Sequence, residues 1–399
     1  MSHAKTPEFH TIVVGGGMVG AALAAELARS GHRVALVEVQ PPGAFDPEGD
    51  HDLRVSAINR AAQRVFQSLG AWEGMMALRA HPYQAMEVWD AAGSGRIRFE
   101  ARDLAEPDLG YIIENRVVQR ALWDRLEQDP MVEIIAPDTL LGLDVRRSHA
   151  EITLASGRRL KALLVVGADG ARSRLRELAG IRVNSRYYGQ QALVATVRTA
   201  LPHEDTAWQR FLSTGPLAFL PLGDGRCSIV WSADDARAEE LRDLDDEAFC
   251  QALADGLDYR LGQVLETSRR AAFPLRGSQA EHYVRPRVAL VGDAAHTIHP
   301  LAGQGANLGF QDAHALVSAV CAPGVTDAGE LRVLRRYERA RRGDNLIMMR
   351  SMEGFRYLFG SEQPPLAALR GLGLNLAHQV TPLKHLLMRH ALGLGEHRT

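Results

Sequence analysis

Cysteine is scarce in this chain: Cys227, Cys250 and Cys321 lie far apart and form no C-x-x-C pair. Three scattered cysteines exclude a disulfide framework or a structural zinc site, and they fit a reducing compartment. Lysine is just as sparse, with only Lys5, Lys161 and Lys384, so the other 43 basic residues are arginines. No apolar run approaches the roughly 18 residues of a membrane-spanning helix. Met1 to His10 lacks the apolar core of a secretory signal. A dominant charge is missing too. The 46 Lys+Arg residues against 48 Asp+Glu residues leave a net charge of −2, which argues against a nucleic-acid binder held by phosphate contacts. Repeats of about 20–50 residues and low-complexity tracts are absent. These absences point to a cytoplasmic globular protein. With 399 residues and 46% hydrophobic side chains it can bury a large core, in two domains or one large one.

The chain opens on a βαβ pattern. The β-branched run Thr11 to Val14 breaks into glycines, an Ala-rich helix is expected over Met18 to Arg29, and Arg33 to Val37 reads as a second buried strand. Such a unit implies a parallel sheet. Ser56 is expected to cap a helix running to Leu69, and Asn115 to Leu126 reads as another helix. The middle of the chain changes character. Gln191–Thr199, Pro216–Leu222 and Cys227–Trp231 read as strands separated by turns such as Gly223-Asp224-Gly225, which predicts an antiparallel sheet. Parallel-type signals return at Val288 to Val291. From Gly305 onward the pattern is helical, with breaks at Pro364-Pro365 and Pro382.

The expected fold class is therefore α/β. A Rossmann-like domain is discontinuous over 1–75, 111–185 and 275–355, with an inserted antiparallel sheet over 76–110 and 186–274 and a helical region over 356–399.

Gly15-Gly16-Gly17-Met18-Val19-Gly20 fits G-x-G-x-x-G between a strand and a helix. Gly15 allows the tight turn, Gly17 lets a pyrophosphate approach the backbone, and Gly20 lets helix and strand pack closely. Glu38 ends the second strand, where a carboxylate binds a ribose hydroxyl and repels a 2′-phosphate, so FAD or NAD is expected rather than NADP. Two further strands end in acids, at Gly167-Ala168-Asp169-Gly170 and Gly292-Asp293-Ala294-Ala295-His296. Ligands of open α/β sheets bind at the carboxyl ends of strands, and an aspartate there can accept hydrogen bonds from ribitol hydroxyls, which NAD lacks. The segment His299-Pro300-Leu301-Ala302-Gly303-Gln304-Gly305-Ala306-Asn307 then lets the backbone pass close to a flat ring, with a helix aimed at it from near Gly305.

Other patterns carry less. His296 and His299 have no third metal ligand nearby, so a structural role is expected and no metal site. Ser173 lies in no G-x-S-x-G elbow, which argues against a hydrolase. The arginines from Arg332 to Arg342 read as a solvated or ion-paired helix face. Leu383, Leu386, Leu387 and Leu394, with Lys384, His385 and Arg389 among them, read as a basic amphipathic helix that packs on the core or meets a membrane or partner. No second dinucleotide motif occurs, so a nicotinamide must dock transiently or electrons must come from another protein.

The three acid- and glycine-bearing segments, in this order and spacing, resemble the single-component flavoprotein aromatic hydroxylases. Asp52-Leu53-Arg54-Val55-Ser56-Ala57-Ile58 and His299 to Gly305 resemble the branch that hydroxylates ubiquinone precursors. Met86–Asp90, Ala192–Thr199 and Ser228–Ser232 are similar to its members acting on 2-polyprenylphenols. The likeness runs from Ile12 to about Leu394.

The resemblance implies an FAD monooxygenase that takes electrons from NAD(P)H or another donor and hydroxylates a polyprenylphenol with O₂ by way of a flavin C4a-hydroperoxide. It implies pyrophosphate binding by Gly15, Gly17 and Gly20, ribose binding by Glu38 and flavin contact by Arg54. Asn115 stands at a helix start where relatives place a flavin-contacting Arg or Gln. Asp169 belongs to a segment linked to flavin and nicotinamide, Asp293 would hold the ribitol, and Pro300, Gly303, Gly305, Ala306 and Asn307 would line the flavin. Relatives carry a bulkier aliphatic at Ala306. No side chain is implied as acid or base. The antiparallel sheet, with Phe219 and Trp231 among its apolar residues, is expected to form the cover of the phenol pocket. A lipid-borne substrate would be met at the periphery of the inner membrane or through other ubiquinone-biosynthesis proteins.

Overall fold

The computed structural model describes residues 7–298 and 305–359, together with 380, 382, 384, 385, 388, 389, 392 and 393. The opening apolar run forms strand Phe9–Val14, helix Met18–Arg29 follows, and strand Val34–Val37 returns parallel to the first. Ala21, Ala22, Leu23, Ala24 and Leu27 are buried where this helix lies on the sheet. The strand order of the sheet is Val284–Arg285, Val288–Leu290, Arg159–Gly167, Phe9–Val14, Val34–Val37 and Val132–Ile135. Its central pairs are parallel, and the antiparallel strands Leu140–Val145 and Ala150–Leu154 extend it. One apolar core lies around Leu23, Val166 and Phe310 and another around Ile12, Val165 and Leu175. Residues 12, 165 and 13, 166 alternate between them, as the two-residue period of a strand requires.

The stretch around Ser56 departs from expectation. Ser56 lies in strand Val55–Ile58, which pairs with Gly110–Glu114, and Ala80–Tyr83 completes a three-stranded sheet. The helix begins later, over Arg60–Ser68, and the side chain of Asn59 caps it by accepting the Ala62 N–H at 3.0 Å. Helix Asn115–Leu126 has the expected span.

The large sheet has the order His296–Thr297, Ala271–Ala280, Val183–Thr199, Cys227–Asp234, Gly215–Pro221, Thr206–Leu212, Ala85–Asp90 and Arg96–Glu100. It is antiparallel except where Thr206–Leu212 runs parallel to Ala85–Asp90. Strands Val183–Thr199 and Ala271–Ala280 reach across the positions expected as boundaries of the inserted sheet.

Leu193, Phe219 and Trp231 share one face and are packed against Leu241, Phe249 and Leu253 of helices Asp235–Asp243 and Asp246–Gly256. Phe219 and Trp231 are thus buried beneath helices, which leaves the other face of the sheet as the one free to cover a pocket. The opposite face carries Phe273, Ala192, Val194, Val230 and Ala218, which stand in register with one another across the strands. Phe211, at the edge of that face, stacks on Phe359 at the end of helix Leu331–Phe359, with ring centroids 3.9 Å apart.

Of the two alternatives expected for this helix face, solvated or ion-paired, Arg341 takes the ion-paired one. It is buried and donates from Nε to Asp312 at 2.9 Å. Met388 and Leu392 pack near Ala101 and Leu109, and Lys384 donates to Asp103 at 2.6 Å. Leu383, Leu386, Leu387 and Leu394 lie outside the described residues. No helix among the described residues is long and apolar enough to cross a membrane.

Candidate functional site

The carboxyl ends of the parallel strands bring together residues that are far apart in sequence. Gly15 follows Phe9–Val14, Glu38 follows Val34–Val37, Asp169 follows Arg159–Gly167, and Asp293 follows Val288–Leu290. Gly15 has φ +103°, and a Cβ there would lie 2.5 Å from the Ala168 carbonyl oxygen. A Cβ on Gly20 would lie 1.9 Å from the Gly15 oxygen. These two glycines are thus demanded by backbone packing alone. Gly17 differs, since a Cβ there would meet nothing within 4 Å. It begins the helix in extended conformation, and no side chain caps the helix and no acid occupies its first turn. The free N–H groups and positive dipole end suit a pyrophosphate.

Glu38 holds the turn as well as facing the cleft. Its Oε2 accepts the Gly16 N–H at 2.5 Å and its Oε1 accepts the Gln40 N–H at 2.8 Å, and each oxygen keeps a further acceptor position for a ribose hydroxyl. The Gly16 carbonyl accepts from Trp123 Nε1 at 2.7 Å and Gln119 Nε2 at 2.9 Å. Neither residue stands out in the sequence, because a donor from a later helix has no local signature.

Asp169 Oδ2 accepts the Leu175 N–H at 3.1 Å, while its Oδ1 is buried and has no partner among the described residues. Buried Arg176 ties this segment to the next, donating to the carbonyls of Ala171 and Ala294 at 2.8 Å each. Asp293 is exposed to solvent, yet protein crowds it on most sides, as befits a carboxylate lining a cleft. That crowding raises its pKa above the ordinary carboxylate value, against the pull of His296 and Arg54. The guanidinium of Arg54 lies 5.9 Å above the Phe273 ring of the large sheet, so the loop carrying it meets the face opposite Phe219 and Trp231.

Two expected contacts are engaged elsewhere. Asn307 is buried, with its Nδ2 donating to the Ala57 carbonyl at 2.7 Å and its Oδ1 accepting the Asn59 N–H at 3.2 Å, so its amide ties helix Gly305–Val320 to strand Val55–Ile58. Asn115 accepts from Ser56 Oγ at 2.7 Å, and its N–H donates to the Arg54 carbonyl at 2.9 Å. It braces the Arg54 segment. Gly305 begins its helix with open space where a Cβ would stand, and Ala306 packs on the core. Pro300 and Gly303 lie outside the described residues, as does His299.

Behind the cleft sits a charged cluster that sequence reading missed. Asp312 is fully buried and accepts from His296 Nε2 at 2.5 Å, Arg341 Nε at 2.9 Å, Asn345 Nδ2 at 3.1 Å and the Gly292 N–H at 3.2 Å. Burial by itself would raise its carboxyl pKa, but His296 and Arg341 outweigh burial and hold it below the ordinary value. His296 therefore orients the segment that carries Asp293. Elsewhere, His81, His203 and Asp205 approach one another. Their atoms are engaged: His81 Nε2 donates to Asp205 Oδ1 at 2.8 Å, while His203 accepts the Asp205 N–H at 3.1 Å and donates to the Leu222 carbonyl at 3.1 Å.

The site fits FAD on its own geometry. Gly17 and Gly305 leave open space, the helix end beside Gly17 is uncapped, and Asp293 presents a carboxylate in the cleft.

Residues 8–348 match the family described as FAD binding domain. The chain is 41% identical to the 3-demethoxyubiquinol 3-hydroxylase of Escherichia coli over 384 residues, covering 96% of this chain and 98% of that protein. It is 36% identical to the mitochondrial ubiquinone biosynthesis monooxygenase of Xenopus tropicalis, covering 96% of this chain and 93% of the relative. Among solved structures, p-nitrophenol 4-monooxygenase from Pseudomonas putida shares the fold at a TM-score of 0.77 with 18% identity, over 98% of this chain and 99% of that one.

Proposed function

The chain belongs to the FAD-dependent hydroxylases of ubiquinone biosynthesis, and from that premise we propose that it hydroxylates the ring of a polyprenylphenol, with NAD(P)H as a transient electron donor. The observation that carries the reading is the convergence of Gly17, Glu38, Asp169 and Asp293 at the carboxyl ends of parallel strands, with Arg54 placed between that cleft and the large sheet. Bound FAD supplies the redox and oxygen chemistry. The chain's own residues bind, orient and exclude water. On this reading Gly15, Gly17 and Gly20 shape the pyrophosphate site and Glu38 takes the adenosine ribose. Asp293 takes the ribitol, and Asp169, Arg54, Pro300, Gly303, Gly305 and Ala306 lie about the flavin. Asn115 and Asn307 act by bracing the backbone beside it.

Val194, Val230 and Ala218 supply an apolar wall between Phe273 at one side and Phe211 with Phe359 at the other. The flavin-binding part then comprises 1–75, 111–185 and 275–355, the substrate sheet 76–110 and 186–274, and the C-terminal helical region 356–399. A lipid-borne substrate would be taken at a membrane surface or from other ubiquinone-biosynthesis proteins.

The test is O₂-dependent hydroxylation of a 2-polyprenylphenol by the FAD-loaded protein with NADPH, NADH or a ferredoxin as donor. Failure with every donor would overturn the reading. A second reading is favoured by the Escherichia coli relative, whose name places its action on 3-demethoxyubiquinol. Mass spectrometry of quinone precursors in a deletion strain separates them. Accumulated polyprenylphenol supports the first, and accumulated demethoxyubiquinol supports the second.

Gly17→Ala discriminates the ligand role of this glycine from a folding role. Since its Cβ would enter open space, the melting temperature is expected to stay put while FAD affinity falls several-fold in a fluorescence titration. Unchanged affinity would remove Gly17 from the pyrophosphate site.

A further inference from the structure

His51 stands where the loop carrying Arg54 meets the hairpin that joins strands Gly215–Pro221 and Cys227–Asp234. Its Nδ1 lies 2.9 Å from Glu114 Oε1 and its Nε2 lies 3.0 Å from Asp224 Oδ2, with the ring only 7% exposed. An ionised carboxylate accepts and cannot donate, so both ring nitrogens carry hydrogen and the ring is an imidazolium. Each carboxylate is anchored on its own side of the seam. Glu114, only 2% exposed, also accepts the Asp52 N–H at 2.7 Å, Arg116 Nε at 2.8 Å and Arg79 Nη1 at 3.3 Å. Asp224 accepts Arg226 Nε at 2.7 Å and the Arg226 N–H at 3.1 Å within the hairpin. A second link runs alongside, from His81 of strand Ala80–Tyr83 to Asp205 at the base of Thr206–Leu212.

We propose that His51 is a positioning residue: clamped between Glu114 and Asp224, it fixes the hairpin of the substrate sheet against the Arg54 loop and so sets the sheet over the flavin cleft. The inference rests on the reading of Arg54 as flavin-facing given above. Its charge state makes the clamp dependent on pH. Burial lowers the His51 pKa, but the hydrogen bonds it donates to Asp224 and Glu114 outweigh burial and raise the value above that of a free histidine. Glu114 is held down to about 2, because His51, the Asp52 N–H and Arg116 outweigh its burial. Asp224 likewise lies well below the ordinary range.

A histidine with a raised folded pKa lends its full stabilisation below its unfolded value and loses it as pH rises through the folded one. Both carboxylates stay ionised there, so deprotonation turns one N–H···O contact into a lone pair facing an anion. The clamp therefore loosens on the alkaline side.

The test uses the full FAD-loaded chain with His51→Gln and the milder Asp224→Asn, which leaves every contact on the Glu114 side intact. Hydrogen–deuterium exchange at one neutral pH is expected to speed up several-fold at residues 222–226 in both variants, with strand Phe9–Val14 unchanged. Turnover is expected to show donor oxidation nearly retained, hydroxylated product per donor reduced several-fold, peroxide correspondingly increased, and the alkaline fall in coupling of the parent protein absent from His51→Gln. Parent-like exchange at the hairpin in both variants, or parent-like coupling with an unchanged pH profile, would overturn the proposal. A parent protein that hydroxylates nothing would sink the functional reading and leave the exchange measurement to judge the clamp.

Discussion

Replacing Asp293 by alanine is expected to strip FAD from the protein while leaving it folded. The carboxylate is exposed in the cleft and accepts no hydrogen bond from another described side chain, so its removal breaks no hydrogen bond among the described residues. What it offers is an anionic acceptor, drawn toward the ionised form by His296 and Arg54 against the crowding that opposes it. Hydrogen bonds to a charged group contribute about 1.5–3 kcal/mol. At about 1.4 kcal/mol per tenfold, the variant should bind FAD about 10- to 150-fold more weakly. Flavin absorbance per protein after desalting, read beside a circular-dichroism melt, measures both halves of the expectation. Asp293→Asn, which keeps an acceptor oxygen, should fall between. Full flavin occupancy in the alanine variant would show that Asp293 does not hold the ribitol.

The largest stability effect is expected at Asp312. Alanine there leaves the Arg341 guanidinium, the His296 ring, the Asn345 amide and the Gly292 N–H without their acceptor, in a place water does not reach. Breaking a buried charge pair from one side costs about 3–5 kcal/mol. Urea unfolding should reveal that loss, whereas Arg336→Ala on the exposed side of the same helix should stay within about 0.5 kcal/mol of the parent. Because His296 and Gly292 flank Asp293, Asp312→Ala is also expected to lose flavin, which Arg336→Ala should not. A loss below about 1 kcal/mol would mean the cluster is not a support for the site. The acid side follows from the sign of the shift. A carboxylate held below its ordinary value stabilises at neutral pH, and that contribution disappears as pH falls through the lowered value.

The legible parts of this protein are those whose cause is local. Helix Asn115–Leu126 begins and ends as its apolar spacing requires, and Met18–Arg29 follows from a run of alanines after glycines. The glycine turn and the acids at strand ends can be read because a few consecutive residues carry both the backbone geometry and the chemistry. Ser56 misleads for the opposite reason. It fits a helix cap by composition, but pairing with Gly110–Glu114, a segment more than fifty residues away, draws it into a strand and passes the cap to Asn59. Phe219 and Trp231 show the same limit at the level of a face. Alternation along a strand says that two faces differ, and only the helices Asp235–Asp243 and Asp246–Gly256 decide which one is covered.

The sequence by itself determined a flavin-type parallel sheet, its glycine turn and the carboxylates at its strand ends, since these are written in short runs of neighbouring residues. The tertiary structure alone decided which charges are buried and what they do. Arg341 looks like one more arginine on a basic helix until it meets Asp312, and His51 looks unremarked until Glu114 and Asp224 close on it from two sheets. A charge acquires its role from the partner and the dielectric around it, and neither exists until distant segments have packed together.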